Sequence, residues 1–205
     1  METTAAKTPL KLSRLSLSSG RSIERALQLR RSVREYSRTS LTQDELAQLL
    51  WAAQGITAAE GLRTAPSAGA LYPLEVDVAV GEVEGLPRAI YRYRPEHHAL
   101  VLKREGDRRG ELRAAALGQD CVGAAAAVIA LIGVYERTTG KYGERGVRYV
   151  HMETGHVAQN VCLEAAALDL GTVVVGAFQD GVVKEVLALG DDEAPLALIP
   201  VGRLS

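Results

Sequence analysis

The sequence predicts an α+β fold in which helices surround a central, mainly antiparallel sheet. Helical and strand-like segments alternate along the chain, so neither an all-α nor an all-β class fits. Two alternating runs also flank a turn at Pro95–His98, which predicts a hairpin and therefore antiparallel pairing. The length of 205 residues suits one domain, and we assign residues 21–205 to it and residues 1–20 to an extended N-terminal arm.

Helices are predicted where apolar residues recur at helical spacing. The clearest helix follows Thr42, because Thr42 can cap it, Glu45 completes a capping box, and leucines continue the apolar stripe until Gly55. A long helix after residue 147 places His156, Asn160 and Glu164 on one ridge. The predicted helices comprise residues 22–29, 42–54, 108–118, 147–170 and 181–188.

Strands are predicted where apolar and polar residues alternate, or where a short apolar run is bounded by turn residues. The predicted strands comprise residues 76–83, the two arms of the hairpin at 89–106, and residues 128–134, 171–178 and 195–203. Residues 63–75 are punctuated by proline and glycine and predict a loop.

The composition excludes several classes of function. A net charge of −1 gives no electrostatic reason to bind nucleic acid or an anionic membrane. The longest apolar run, residues 122–134, is too short to span a bilayer, and the N-terminus does not have the pattern of a secretory signal. Cys121 and Cys162 lie in apolar, Ala-rich contexts that predict buried free thiols, and no Cys/His cluster has metal-ligand spacing. We therefore expect a soluble cytoplasmic protein without a metal site.

The segment RRSVREY, residues 30–36, is a candidate phosphate site. It places Arg30, Arg31 and Arg34 around Ser32 at the end of a predicted helix. Guanidinium groups offer fork-like donors to phosphate, and a hydroxyl adds another donor. The alternative is a solvated surface, which is where three neighbouring arginines are usually found.

Two further segments carry residues suited to a flat ligand. In RTAPSAGALYPLE, residues 63–75, small residues between two prolines let the backbone come close to a ligand, although an ordinary loop has the same composition. In GTVVVGAF, Gly176 closes a strand at a point where a backbone N–H can face a ligand atom. In LIPVGR, Arg203 follows a glycine at the end of a strand, and a plain surface arginine is the alternative.

Together these segments resemble the nitroreductase superfamily, and within it the SagB/ThcOx-type dehydrogenase branch. The resemblance runs from about Ser22 to Arg203 and rests on the order of the segments along the chain. The segments are RRSVREY, LLWAAQGI, RTAPSAGALYPLE, IYRY with HHALVL, KYGERGVRY, GHVAQNVCLEAAALDLGTVVVGAF and LIPVGR.

The resemblance implies a nitroreductase-like fold in an intertwined homodimer, with FMN held at the dimer interface by both subunits. The residues that it assigns to the phosphate of FMN are Arg30, Arg31, Ser32, Arg34 and Arg203. The residues that it assigns to the flavin ring are Pro66, Ser67, Ala68, Gly69 and Leu71, contributed by the other subunit, and the backbone of Val175, Gly176 and Ala177 near the flavin N5.

The resemblance also assigns a role to Lys141 and Tyr142 in KYGERGVRY. In the dehydrogenase branch, a Lys–Tyr pair at this place is associated with proton removal during substrate oxidation. A lysine whose pKa is lowered by burial can act as a base, with the tyrosine as relay. An ordinary surface loop is the alternative, and we interpret the nearby Glu153 and His156 as structural.

The implied activity is that of an oxidoreductase, which passes a hydride between NAD(P)H or a small organic substrate and a second acceptor through the flavin. Two alternatives stay open at the level of sequence. One is a flavin-binding protein without turnover, used in regulation, storage or consumption of its own flavin. The other is an α+β interaction domain that binds no flavin.

Overall fold

The computed structural model describes residues 8–17 and 20–205. The α-helices there are α1 (Ile23–Leu29), α2 (Gln43–Gln54), α3 (Arg109–Ala115), α4 (Asp120–Ala124), α5 (Glu136–Tyr142), α6 (Arg145–Ala167) and α7 (Asp180–Val186). The strands are β1 (Leu10–Lys11), β2 (Leu74–Val80), β3 (Ala89–Arg94), β4 (Ala99–Glu105), β5 (Ala127–Gly133), β6 (Leu170–Thr172) and β7 (Ala194–Arg203). Short 3-10 turns lie at Ala68–Ala70 and Pro95–His97.

These strands form one sheet in the order β1-β4-β3-β2-β5-β7-β6, with every neighbouring pair antiparallel. The hairpin β3–β4 turns through Pro95–His98 as predicted. The structure therefore confirms the prediction of an α+β fold around an antiparallel sheet.

Helices cover both faces of the sheet, and the alternation of side chains along β5 shows why. Ile129 and Leu131 point into one apolar cluster with α2 and α6, whereas Val128, Ala130 and Ile132 point into another with α3, α4 and α7. Because successive side chains of a strand face opposite sides, a run that is apolar throughout needs cover on both faces. The long α6 lies on the first face and later supplies part of the candidate site.

Several predicted elements are wrong in extent: the helix predicted at 108–118 ends at Ala115, and the strand predicted at 76–83 spans Leu74–Val80. Two more differ near the candidate site. The long helix ends at Ala167 rather than continuing to residue 170, since Asp169 takes a left-handed φ of 58° and β6 begins at Leu170. The predicted strand at 171–178 ends at Thr172, beyond which Val175 makes only an isolated bridge to Leu198. The helices α4 and α5 were not predicted.

Part of the predicted N-terminal arm, residues 1–7 and 18–19, lies outside the described residues. Of the remainder, Leu10–Lys11 pair with β4, and Ser16 exchanges two backbone hydrogen bonds with the side chain of Gln48 on α2. Both cysteines are buried and free, as predicted. None of the helices in the described part of the chain has the length and hydrophobicity that crossing a bilayer requires.

Candidate functional site

The basic segment at residues 30–36 leaves α1 and continues the sheet beyond β6. Ser32 forms a parallel bridge with Thr172, and the N–H of Val33 donates to the Thr172 carbonyl at 2.9 Å. This close approach requires glycine at position 171, because a Cβ there would lie 2.8 Å from the Val33 side chain. The packing of β6 therefore fixes the place of the arginines.

We call Arg30, Arg31, Ser32, Arg34 and Arg203 the basic corner. Arg31, Ser32 and Arg34 are exposed and Arg30 is half-buried. Within the described residues, no carboxylate forms a salt bridge with Arg30, Arg31 or Arg34. Three guanidinium groups and a hydroxyl, none of them paired with a carboxylate in the described part of the chain, form a donor set that fits a phosphate dianion.

Arg203 lies in the same corner through its backbone, because it pairs with Leu170 across β6 and β7. Its guanidinium, however, is bound elsewhere. Nη2 lies 3.0 Å from Glu45 Oε2, and Nε donates to the carbonyl of Ser40 at 3.2 Å. A phosphate role for Arg203 therefore requires its side chain to leave Glu45 or to share it.

The turn at residues 175–177 offers backbone donors next to open space. Val175 exchanges both of its backbone hydrogen bonds with Leu198, at 2.8 and 2.9 Å, so its N–H is occupied. Gly176 and Ala177 are exposed, and their N–H groups have no acceptor among the described residues. A Cβ added to Gly176 would meet no atom within 4 Å, which leaves room for a flat group against the backbone.

The loop at residues 66–72, which we call the small-residue loop, has an unusual backbone. Gly69, Ala70 and Tyr72 all take left-handed φ values, of 63°, 54° and 46°. Non-glycine residues in this region cost about 1–2 kcal/mol each and persist only where the surroundings hold them. The hydroxyl of Ser67 accepts the N–H of Tyr72 at 2.9 Å, and Arg137 donates to the Tyr72 carbonyl at 3.1 Å.

Lys141 and Tyr142 end α5 directly against this loop. A Cβ added to Gly69 would lie 2.8 Å from the Tyr142 hydroxyl and 3.0 Å from Lys141 Nζ. Tyr142 also meets Tyr149 of α6 edge to face, with ring centroids 5.2 Å apart. The structure thus brings together, in one chain, two segments that are far apart in sequence, and Lys141 is exposed there.

Helix α6 supports the small-residue loop from behind. Asn160 donates to the carbonyl of Thr64 at 3.2 Å, just before the loop begins. Glu153 is 2% exposed and lies beside Ser67, and burial raises the pKa of its carboxyl. We predicted a structural role for Glu153, and no local sequence pattern marks its burial or its position under the loop.

The predicted site residues thus form two groups. The basic corner lies with residues 175–177 at the β6 edge, and the small-residue loop lies with Lys141 and Tyr142 at the end of α5. No hydrogen bond or salt bridge within the described part of the chain joins one group to the other.

The model of the nitroreductase family matches residues 27–203, so the chain belongs to that family. Proteins of the family are in general FMN-dependent oxidoreductases, which places this chain in the class of oxidoreductases. A nitroreductase-like protein of Methanocaldococcus jannaschii is 50% identical over 181 residues, covering 88% of this chain and 90% of that protein.

Solved structures agree with this assignment. A nitroreductase-like protein of Ralstonia eutropha has a TM-score of 0.85 and 31% identity, covering 99% of this chain and 92% of that one. A nitroreductase-like protein of Anabaena variabilis has a TM-score of 0.80 and 36% identity over 89% of this chain, which spans 38% of that longer protein. A chain from the Escherichia coli microcin synthetase complex with truncated pro-MccB17 has a TM-score of 0.78 and 26% identity, with coverage of 95% and 75%.

Proposed function

We propose that this protein is an FMN-dependent oxidoreductase of the SagB/ThcOx-type dehydrogenase branch, acting as a homodimer with shared sites. It passes a hydride between NAD(P)H or a small organic substrate and a second acceptor. The observation that carries the proposal is the basic corner, where Arg30, Arg31 and Arg34 have no carboxylate partner among the described residues and lie at the same edge of the sheet as the backbone donors of residues 176–177. Residues 21–205 form the FMN-binding domain in this proposal, and residues 1–20 form an arm.

The residues present fit the two ends of FMN. Arg30, Ser32 and Arg34, with Arg31 and Arg203 beside them, match the charge and hydrogen-bonding needs of a phosphate dianion. The free N–H groups of Gly176 and Ala177 can donate to the ring and stabilise negative charge there. When bound, FMN supplies a hydride acceptor and donor at N5, which the protein side chains do not provide.

The separation of the two groups of residues supports a shared site. The small-residue loop contacts Lys141 and Tyr142, and no hydrogen bond or salt bridge among the described residues joins it to the basic corner of the same chain. We infer that the loop, including Pro66, Ser67, Ala68, Gly69 and Leu71, lines the flavin held by the basic corner of the partner subunit. Because Lys141 and Tyr142 contact the loop, they then face that same flavin.

The assignment to the dehydrogenase branch rests on the Lys–Tyr pair. Oxidation of a C–H bond beside a heteroatom needs a hydride acceptor and a base, and Lys141 is placed to remove the proton with Tyr142 as relay. The likeness to a chain of the microcin synthetase complex supports this branch. The exposure of Lys141 in the single chain means that desolvation would have to come from the partner subunit and the bound substrate.

The first test is the binding of FMN to the purified protein. One charge-assisted hydrogen bond to phosphate is worth about 1.5–3 kcal/mol, so Arg30→Ala is expected to weaken FMN binding roughly ten- to a hundredfold. Riboflavin lacks the phosphate, so its affinity should change much less. Arg25→Ala removes an exposed arginine from the preceding helix and is the matched control, with FMN binding unchanged.

Equal losses for FMN and riboflavin would reject the phosphate role of Arg30. If the wild-type protein binds neither FMN nor riboflavin, the proposed flavin site is rejected and an interaction domain is favoured. If FMN binds but its visible absorbance survives NAD(P)H and organic substrates alike, a flavin-binding protein without turnover replaces the enzyme.

A further inference from the structure

We propose that Glu153 is a positioning residue of the candidate site, which holds Ser67 from α6 and thereby fixes the small-residue loop against Lys141 and Tyr142. The effect on turnover rests on the proposed function, since it requires that the loop lines a flavin. The effect on the position of the loop does not rest on the proposed function, because Glu153 and the loop belong to the same chain and need no flavin to meet.

One face of α6 carries three contacts to this region. Tyr149 packs on Tyr142, Glu153 lies beside Ser67, and Asn160 donates to the carbonyl of Thr64. The spacing of four and then seven residues places all three side chains on the same side of a helix. The helix α6 therefore contacts Tyr142 through Tyr149 and the segment before the loop through Asn160. Glu153 lies between these two residues on the helix and contacts the loop itself at Ser67.

Glu153 belongs to a buried polar cluster whose atoms have few hydrogen-bond partners. Its carboxyl interacts with the side chains of Ser67 and Gln54, and Gln54 in turn accepts a hydrogen bond from Arg63 at 2.9 Å. Glu153 Oε1 and Gln54 Nε2 are buried without a partner of normal hydrogen-bond geometry among the described residues. A buried oxygen without a full set of donors is much costlier when the carboxyl is charged.

Two members of the cluster, Ser67 and Arg63, contact the part of the loop that has left-handed backbone. Ser67 accepts the N–H of Tyr72, and the guanidinium of Arg63 stacks on the Tyr72 ring at 4.5 Å from its centroid. The left-handed residues Gly69 and Ala70 lie between these anchors. Because such a backbone relaxes unless it is held from outside, losing the Ser67 anchor should release the loop.

The direction of the pH dependence follows from the surroundings of Glu153. Burial raises the pKa of Glu153 above its ordinary value of 4.5, opposed by the neighbouring polar side chains of Ser67 and Gln54 and by the charges of Arg63 and His156. A carboxyl with a raised folded-state pKa contributes stability that is fully present below its ordinary pKa and is lost as the pH rises through the folded value. The loop should therefore loosen as the pH rises from about 4.5.

The test is hydrogen–deuterium exchange of residues 64–72 in the full chain without flavin, expressed as protection factors across pH. Wild-type protection should fall as the pH rises. Glu153→Gln, which keeps the shape and cannot ionise, should stay protected at every pH. Glu153→Ala should lose about tenfold or more of that protection at every pH, as expected for removing one buried hydrogen-bonding group.

Two matched variants separate this effect from others. Glu164→Gln replaces another α6 carboxyl whose pKa burial raises, but which interacts with Gln48, so the loop should behave as in the wild type. His156→Gln removes the neighbouring imidazole and should leave the fall in protection in place. A Glu153→Gln variant that keeps the wild-type pH profile would overturn the proposal, even if Glu153→Ala does not fold.

The same variants distinguish this inference from the proposed function. If the chain binds no FMN but the exchange pattern is as described, the positioning role stands and the flavin enzyme fails. If FMN binds and turns over while wild-type loop protection is independent of pH, the enzyme stands and the role of Glu153 fails.

Discussion

Gly69 sets the position of the residues that we expect to move protons. Its hydrogen lies where any larger group would push against the Tyr142 hydroxyl and Lys141 Nζ. Its φ of 63° is also a value that glycine adopts without the steric cost that Ala70 bears. Glycine at this position therefore allows the loop to lie close to the tips of the Tyr142 and Lys141 side chains.

At the same scale, Lys141→Ala is expected to slow substrate oxidation by about 10²–10⁴-fold, the usual contribution of a general base. Flavin reduction by NAD(P)H should survive, because hydride transfer from a nicotinamide needs no base. The FMN spectrum should also be unchanged, since the phosphate is held at the basic corner. Stopped-flow traces of both half-reactions provide the measurement, with Lys11→Ala, an exposed lysine of β1, as the control.

The outcomes of this substitution are distinct. Intact substrate oxidation would make Lys141 and Tyr142 an ordinary surface pair. A loss of FMN binding would instead make Lys141 structural. Brisk nitro or quinone reduction in the absence of any dehydrogenase substrate would point to a plain reductase.

Individual site residues were predictable from sequence to different degrees. Arg30, Ser32 and Arg34 lie within five positions of one another, so their proximity is given by the chain itself. The burial of Glu153 beside Ser67 was not predictable, because the two residues are 86 positions apart and meet only after α6 docks. The ion pair between Arg203 and Glu45 was missed for the same reason.

Among the elements, those with local signals were predicted and those that depend on partners were not. The start of α2 has a complete capping box, in which Thr42 Oγ1 accepts the Glu45 N–H and Glu45 accepts the Thr42 N–H at 2.8 Å. By contrast, residues 173–178 form an apolar run typical of a strand, yet β6 pairs with β7 only as far as Thr172 and Val201, and beyond it only Val175 bridges β7, at Leu198. The helix α5 has neither a side-chain cap nor an apolar stripe from which it could have been predicted.

The capping box gives the element-scale prediction. Thr42→Ala removes the acceptor of the Glu45 N–H and should lower the free energy of unfolding by about 1 kcal/mol. Urea denaturation measures the loss. Thr39→Ala, an exposed threonine just before the helix, should change stability by no more than about 0.5 kcal/mol. Equal effects of the two substitutions would show that the cap adds nothing.

For the whole molecule, the division of the site into two groups determines the assembly that we expect. In the proposed function each group supplies one part of the flavin site, and the family neighbours are often dimers. If one chain supplies the basic corner and the other the loop, cofactor binding and dimer formation stabilise the same native arrangement.

Light scattering of the FMN-bound protein is therefore expected to give about twice the 21.9 kDa chain mass. A mixture of Arg30→Ala and Lys141→Ala chains, assayed at limiting FMN, should recover substrate oxidation that neither variant shows alone, because hybrid dimers contain one site with both wild-type parts. A fully flavin-loaded monomer, or a mixture no more active than its components, would contradict the shared site.

The carboxylate of Glu45 takes part in two contacts of very different range. It closes the capping box with Thr42, three residues away, and it binds Arg203, which is 158 positions along the chain. Closing a long segment of chain costs more conformational entropy than closing a short one, so the local contact is favoured early in folding. The distant contact has to wait until β7 has joined the sheet. The same side chain thus caps the start of α2 early in folding and later forms an ion pair that holds the end of β7.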